Sequence, residues 1–275
     1  MSVVLNDKPR QSTLKWRWPL SRELTLSVAT LAVLLAVWWA VAALQLISPL
    51  FLPPPGQVWQ KLIAIAGPQG FMDATLWQHL AASLTRIVIA LLAAVLLGVP
   101  VGIAMGLSPT VRGILDPLIE LYRPVPPLAY LPLMVIWFGI GETTKVLLIF
   151  LAILAPIIIA TTHGMTVANG NRIRAVRSLG ATRAQIIQTV ILPAALPNIL
   201  TGVRIGLGAG WSTLVAAELV AAKRGLGYMV QSAAQFLVTD VVLLGIIVIA
   251  VIAVLIELSL RALQKQLTPW YGKAE

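Results

Sequence analysis

The chain has 275 residues, of which 59% are hydrophobic and only 11% charged, with a net charge of +10. A soluble globular domain carries about 25% charged residues, so this composition and a mean hydropathy of +0.91 exclude that class and leave a polytopic membrane protein. The absence of cysteine excludes a disulfide framework, thiol chemistry and thiolate metal sites, and positive charge gathered in loops argues for membrane topology rather than nucleic acid.

Residues 1–23 hold Lys8, Arg10, Lys15, Arg17 and Arg22 beside Trp16 and Trp18, a cytoplasmic, interfacial start. Residues 24–44 are apolar throughout and long enough to span. Ala40-Val-Ala42 has the form of a signal-peptidase site, but the apolar run exceeds the roughly 7–15 residues of a signal core, so it reads as a first transmembrane helix. Residues 45–78 form a periplasmic, proline-rich segment. Its prolines at 49 and 53–55 forbid a continuing helix, and a short amphipathic helix follows over 57–66. A second span covers 80–107, with Gly98, Pro100, Gly102 and Gly106 permitting close packing or a kink.

Ser108 to Arg112 reads as an inner turn. Residues 113–138 are apolar but interrupted by Arg123-Pro-Val-Pro-Pro127. One crossing with broken backbone, tolerated where it lines a cavity or is buried in protein, and two short passes both remain open. Residues 139–145 read as an outer turn, 146–162 as the fourth span and 190–219 as the fifth. Residues 221–239 are less apolar and read as an outer re-entrant or surface helix, and 241–263 as the last span before a cytoplasmic tail, 264–275. The architecture is therefore all-α, with six transmembrane helices and both termini cytoplasmic. The cations agree: the N-terminal set, Arg112, the arginines of 172–183, Arg261, Lys265 and Lys273 fall inside, and Lys61, Lys145, Lys223 and Arg224 outside.

Between the fourth and fifth spans, residues 172–197 carry four arginines and no acid. Ile173, Val176 and Leu179 recur on one face of a short helix. Gly180 ends it where a left-handed residue is cheap. Thr182 with Gln185 reads as a capping box opening a second helix, and Pro193 and Pro197 punctuate the entry to the fifth span. A basic amphipathic helix on anionic lipid would share this composition. The spacing, however, resembles the cytoplasmic coupling loop of ABC-importer membrane subunits. That pattern runs as an acidic residue, two alanines, a glycine four positions later, then an isoleucine and Leu-Pro. Ala175, Gly180, Val190, Leu192 and Pro193 hold the corresponding places, while Arg174 stands at the acidic position and Val176 at the second alanine.

The resemblance covers nearly the whole chain, with a permease core over 79–263 and a coupling loop over 165–189. Residues 120–142, 191–219 and 224–233 place it closest to the taurine, alkanesulfonate and nitrate group of type I importer permeases. The resemblance implies a homodimer, two cytoplasmic ATP-binding subunits and a periplasmic substrate-binding protein. It also implies translocation of taurine or a related small sulfonate across the inner membrane. Arg174, Ala175, Gly180, Ala181, Leu192 and Pro193 are then the residues expected to couple to the ATPase.

No GxxxxGK[ST] motif occurs, so the chain is expected to have no catalytic site and no cofactor of its own, with ATP and Mg on the partner subunit. Ionisable residues within spans are functional candidates by default: Arg86, Asp116, Glu120, Arg123, Arg204 and Glu218. The spacing of Asp116, Glu120 and Arg123 predicts pairing within one helix. Arg123, Arg204, Ser212, Thr213 and Glu218 are the candidates for the translocation pathway, because the first adjoins the broken backbone and the rest share the glycine-rich fifth span. His79 and His163 lack a metal-binding spacing. A secondary transporter would need inverted repeats and coupling carboxylates, and no repeat is evident. An intramembrane protease would need Ser83 or Ser212 beside His163.

Overall fold

The structure is a computed structural model that describes residues 22–167 and 170–270. The basic cluster preceding Arg22, and Lys273 of the tail, lie outside the described residues. All regular elements among the described residues are helical, apart from an isolated bridge between Phe71 and Ala74. The chain divides into a unit ending at Pro55 and a larger one starting at Gly56. In the first, α1 (Arg22–Ala43) is long and apolar enough to span. The proline-rich segment beyond it is tied back by the Trp38 indole, which donates to the Pro53 carbonyl at 3.1 Å.

The larger unit holds α2 (Pro55–Ala66), α3 (Leu76–Leu107), α4 (Pro109–Tyr122), a 3-10 turn at Pro127–Tyr130, α5 (Leu131–Phe138), α6 (Glu142–Thr166), α7 (Gly170–Ser178), α8 (Arg183–Ile186), a π-helical turn at Ile187–Ile191, α9 (Leu192–Ala221), α10 (Leu226–Gln235) and α11 (Thr239–Leu267). Of these, α3, α6, α8 with α9, and α11 are long and apolar enough to cross a membrane, and 127–138 is a shorter apolar stretch.

Two rows of small residues decide how the long helices meet. Gly98, Gly102 and Gly106 recur every fourth residue and form one stripe of α3. A Cβ added at Gly98 would lie 3.0 Å from Ile157, and one at Gly102 2.5 Å from Thr161, both on α6. Gly206 and Gly210 do the same for α9, where an added Cβ would lie 3.0 Å and 2.5 Å from Ile153. Without a side chain in the seam the backbones approach closely, which is how helices gain packing energy in lipid. The order of these contacts also fixes direction. Residues 98, 102 and 106 meet 157, 161 and 165 in rising order, so α3 and α6 run parallel, whereas α9 meets α6 in falling order. The inner faces of α3, α6 and α9 then bury Ile87, Ala90, Ala94, Ile149, Ile153, Ile157, Leu207, Trp211 and Leu214 as one cluster.

Parallel α3 and α6 settle the open question about 113–145. The chain leaves α3 at one end of the bundle and enters α6 at the other, so residues 109–141 cross once. Their breakpoint is real: α4 stops at Tyr122, Arg123 caps it, and Pro124, Pro126 and Pro127 delay helix until α5. Neither α4 nor α5 buries a residue in the isolated chain.

Several boundaries differ from the sequence reading. Ser108 to Arg112 is not a turn: Ser108 ends α3 and also caps α4, its hydroxyl accepting from Val111 N–H. The outer turn shrinks to 139–141, because Glu142 and Lys145 already belong to α6. The first turn of α3 starts earlier, behind a capping box of Thr75 and Gln78. The expected pairing of Glu120 with Arg123 does not form. Arg112 reaches Asp116 at 3.5 Å instead, and no ion pair involves Glu120 or Arg123 among the described residues, although Arg123 caps α4 with helical backbone.

Candidate functional site

Two clusters of polar residues occupy opposite ends of the larger unit. The first is largely buried, with Glu142 as its exposed member, and grows from one face of α3. His79, Ser83 and Arg86 are spaced four and three apart, so they share a stripe. The Arg86 guanidinium, whose side chain is 5% exposed, forks onto Glu142 of α6, with Nε to Oε2 at 2.6 Å and Nη2 to Oε1 at 2.8 Å. Its remaining nitrogen, Nη1, donates to Glu218 of α9 at 2.5 Å and to the Arg224 carbonyl at 2.8 Å. Lys145 donates to Glu142 at 2.7 Å. Glu218 is fully buried and also accepts from Ser83 Oγ and from Gly227 N–H at 2.9 Å. Two cations and two carboxylates therefore balance in one network, the condition under which ions persist in an apolar bundle.

The same cluster fixes the connection between α9 and α10. Leu226 N–H donates to Ser83 Oγ at 2.9 Å, and Gly225 N–H to His79 Nδ1 at 3.1 Å. Because Nδ1 accepts, the imidazole proton sits on Nε2, which donates to the Phe71 carbonyl 3.0 Å away. Gly225 has φ of +139°, and a Cβ there would run into the Glu218 carboxylate, so the turn requires glycine. Four successive residues, 224–227, are thus each pinned by a side chain of α3 or α9. The sequence singled out Arg86 and Glu218 one by one. It missed Glu142, Lys145, Ser83 and His79 as their partners, although the 79, 83, 86 stripe was a legible signal.

The second cluster is exposed. α7 ends in a paired hydrogen-bond motif, with Ala181 N–H donating to the Val176 carbonyl at 3.3 Å and Gly180 N–H to Arg177 at 3.0 Å. This places Gly180 at φ of +83° with nothing near its missing Cβ, the left-handed stop that glycine favours. The Thr182–Gln185 capping box then opens α8. Arg172, Arg174, Arg177 and Arg183 are all exposed, and none forms an ion pair among the described residues. Arg174 instead donates to Asn171 Oδ1 at 2.6 Å. Leu179, expected on the apolar face with Ile173 and Val176, is 85% exposed. Ala175 is exposed and Ala181 half-buried. Leu192 and Pro193 sit in the first turn of α9, directly after the π-helical turn.

The remaining pathway candidates are scattered. Arg204 pairs with Glu257 of α11 at 3.3 Å and reaches Gln264 at 3.4 Å. Ser212 is exposed and Thr213 buried, and each hydroxyl bonds to its own helix. Arg123 is exposed beyond α4. No hydrogen bond or ion pair joins any two of Arg123, Arg204, Ser212, Thr213 and Glu218 among the described residues. Ser83 is engaged with Glu218, whereas His163 lines a separate cleft with Arg112 and Asp116 at the other end, so no serine–histidine pair forms. No metal-holding group of three or more histidines or acids occurs among the described residues.

Comparison with known proteins agrees with this architecture. Residues 94–272 match the family model described as the inner membrane component of binding-protein-dependent transport systems. The chain is 74% identical to the taurine transport system permease protein of Escherichia coli K12 over 275 residues, covering all of both chains. It is 37% identical to a putative aliphatic sulfonates transport permease protein of Bacillus subtilis, over 89% of this chain and 87% of the relative. The nitrate import permease protein of Synechocystis is 30% identical over 87% of each. An inward-facing structure of the MetNI methionine ABC transporter superposes with a TM-score of 0.59 at 19% identity, covering 70% of this chain and 96% of that one, which shows the type I permease fold. The chain belongs to the family of inner membrane components of binding-protein-dependent transport systems.

Proposed function

We propose that this chain is the membrane-spanning subunit of an ATP-driven importer that carries taurine or a related small sulfonate across the bacterial inner membrane. The observation that carries the reading is the 74% identity, over the full length of both chains, with a taurine transport permease. Two copies of the chain would assemble with two cytoplasmic ATP-binding subunits and a periplasmic substrate-binding protein. ATP and Mg would bind the partner subunits, since the chain has no phosphate-cradling motif. The end bearing Arg112, the 172–183 arginines and Lys265 is then cytoplasmic, as are both termini. The 45–78 segment and the buried polar cluster face the periplasm.

In this reading the elbow over 172–187 docks on the ATPase. Arg174, Ala175, Gly180 and Ala181 present its surface, and Leu192 with Pro193 pass its motion into α9. The path runs along the broken crossing and the glycine face of α9. A sulfonate keeps its charge at any physiological pH, so bare lipid is closed to it and the path must supply donors. Arg123 and Ser212 are exposed in the isolated chain. Arg204, Thr213 and Glu218 join the path only by giving up the bonds described above.

The test is reconstitution of the chain with its ATPase and binding protein in proteoliposomes. Import of radiolabelled taurine that needs ATP and the binding protein is expected, with excess unlabelled taurine competing better than methanesulfonate or nitrate. Equal competition by nitrate would overturn the sulfonate assignment, and uptake without ATP would overturn the importer.

A further inference from the structure

Beside the buried network, α3, the turn between α5 and α6, and the connection from α9 to α10 enclose a cleft of about 710 Å³, within the roughly 300–1,000 Å³ of small-molecule sites. Its walls carry Arg86, Lys145, Lys223 and Arg224 against one acid, Glu142. The charges are not equivalent. Arg86 and Lys145 are buried and committed to carboxylates, and Glu142 is already held by both. Lys223 and Arg224 are exposed and have no ion-pair partner among the described residues. The cleft therefore has two uncompensated cations on a wall whose other parts, such as Ile89 and Val146, are apolar and lower the local dielectric.

These cations do not sit on a loose loop. The Arg224 carbonyl, Gly225 N–H, Leu226 N–H and Gly227 N–H are each bonded into the network at 2.8–3.1 Å. The backbone at Arg224 and directly beyond it is thus fixed in advance, which lowers the ordering cost of binding. A compact oxyanion matches this site: it accepts several charge-assisted hydrogen bonds at once, and it supplies the charge the wall lacks.

We propose that this cleft binds a compact oxyanion, either the sulfonate of the transported solute or the phosphate of a lipid headgroup. Its occupation by the solute rests on the transport reading above; its preference for an oxyanion does not. The test uses the complex of the chain with its ATPase in nanodiscs, without binding protein or ATP, so its failure is separable from failure of uptake. In phosphatidylcholine nanodiscs, radiolabelled taurine should bind in a salt-sensitive manner. The K223Q/R224Q pair should weaken it at least 10-fold, and the swap K223R/R224K should restore it. If headgroups are the natural occupant, phosphatidylglycerol should be enriched around the wild type and displace taurine, and the K223Q/R224Q pair should lose that enrichment. As a check independent of variants, methanesulfonate, which has no amine, should protect Lys223 in the wild type from acylation read by mass spectrometry. Taurine binding or headgroup enrichment unchanged in K223Q/R224Q would overturn the site. So would a wild type that binds neither oxyanion and leaves Lys223 unprotected.

Discussion

The two ends of the bundle treat charge in opposite ways. At one end, Arg86, Lys145, Glu142 and Glu218 close on one another, and Arg86, Lys145 and Glu218 are almost fully buried. At the other, four arginines stand exposed without an ion-pair partner among the described residues, on an elbow whose turn is held by its own backbone bonds. A network that satisfies itself is a fixed support. Under the proposed function, the first end is the fixed support for the 224–227 turn and the second is the surface that meets the ATPase.

The largest effect is expected at the closed end. Glu218→Ala takes the carboxylate from Arg86 Nη1, which keeps only the neutral Arg224 carbonyl, and leaves the N–H of Gly227 without its acceptor; removing one member of a buried pair costs about 3–5 kcal/mol. A large fall in the detergent melting temperature is the readout. The double variant Arg86→Met, Glu218→Leu should recover part of that loss, since an apolar replacement leaves no orphaned charge. Gly225→Val comes next, with about half the melting shift, because it forces a β-branched residue into φ of +139° against the Glu218 carboxylate.

At the open end the order of effects reverses between stability and function. Gly180→Val meets no neighbouring atom, so only backbone strain of about 1–2 kcal/mol opposes it. Expression should persist while co-purification of the ATPase and taurine uptake fall. Wild-type uptake with normal ATPase binding would remove the elbow from the coupling role. Arg204→Gln should have the smallest stability effect. Its pairing with Glu257 is part-exposed, and Glu257 keeps Arg261 at 2.8 Å, so less than about 1 kcal/mol is expected. Reduced uptake at unchanged melting would assign Arg204 to the pathway, and unchanged kinetics would remove it.

What the sequence made legible follows from what is local. The elbow was readable because its devices span a few residues: Gly180 as the left-handed stop, Thr182 with Gln185 as the next cap. The spanning helices were readable from apolar length, and the broken crossing from Arg123-Pro-Val-Pro-Pro127. The closed end was not, because the bonds that bring its helices together join residues more than fifty positions apart, Arg86 to Glu142 and Ser83 to Glu218. Periodicity shows that His79, Ser83 and Arg86 share a face but not what they face. Glu120 and Arg123 show the limit of local spacing as well: Arg123 keeps helical backbone and its N–H bonds to the Ile119 carbonyl at 2.8 Å, yet the two side chains do not pair.

Hydrogen exchange of backbone amides in the purified chain, with and without the proposed ATP-binding subunits, tests this division most directly. The amides of Gly225, Leu226 and Gly227 should be protected in both samples to the same degree. The amides of residues 172–187 should exchange readily in the chain alone and slow markedly when the ATPase is bound. Equal exchange of the elbow in both samples, or protection of 225–227 only after the ATPase is added, would contradict the account.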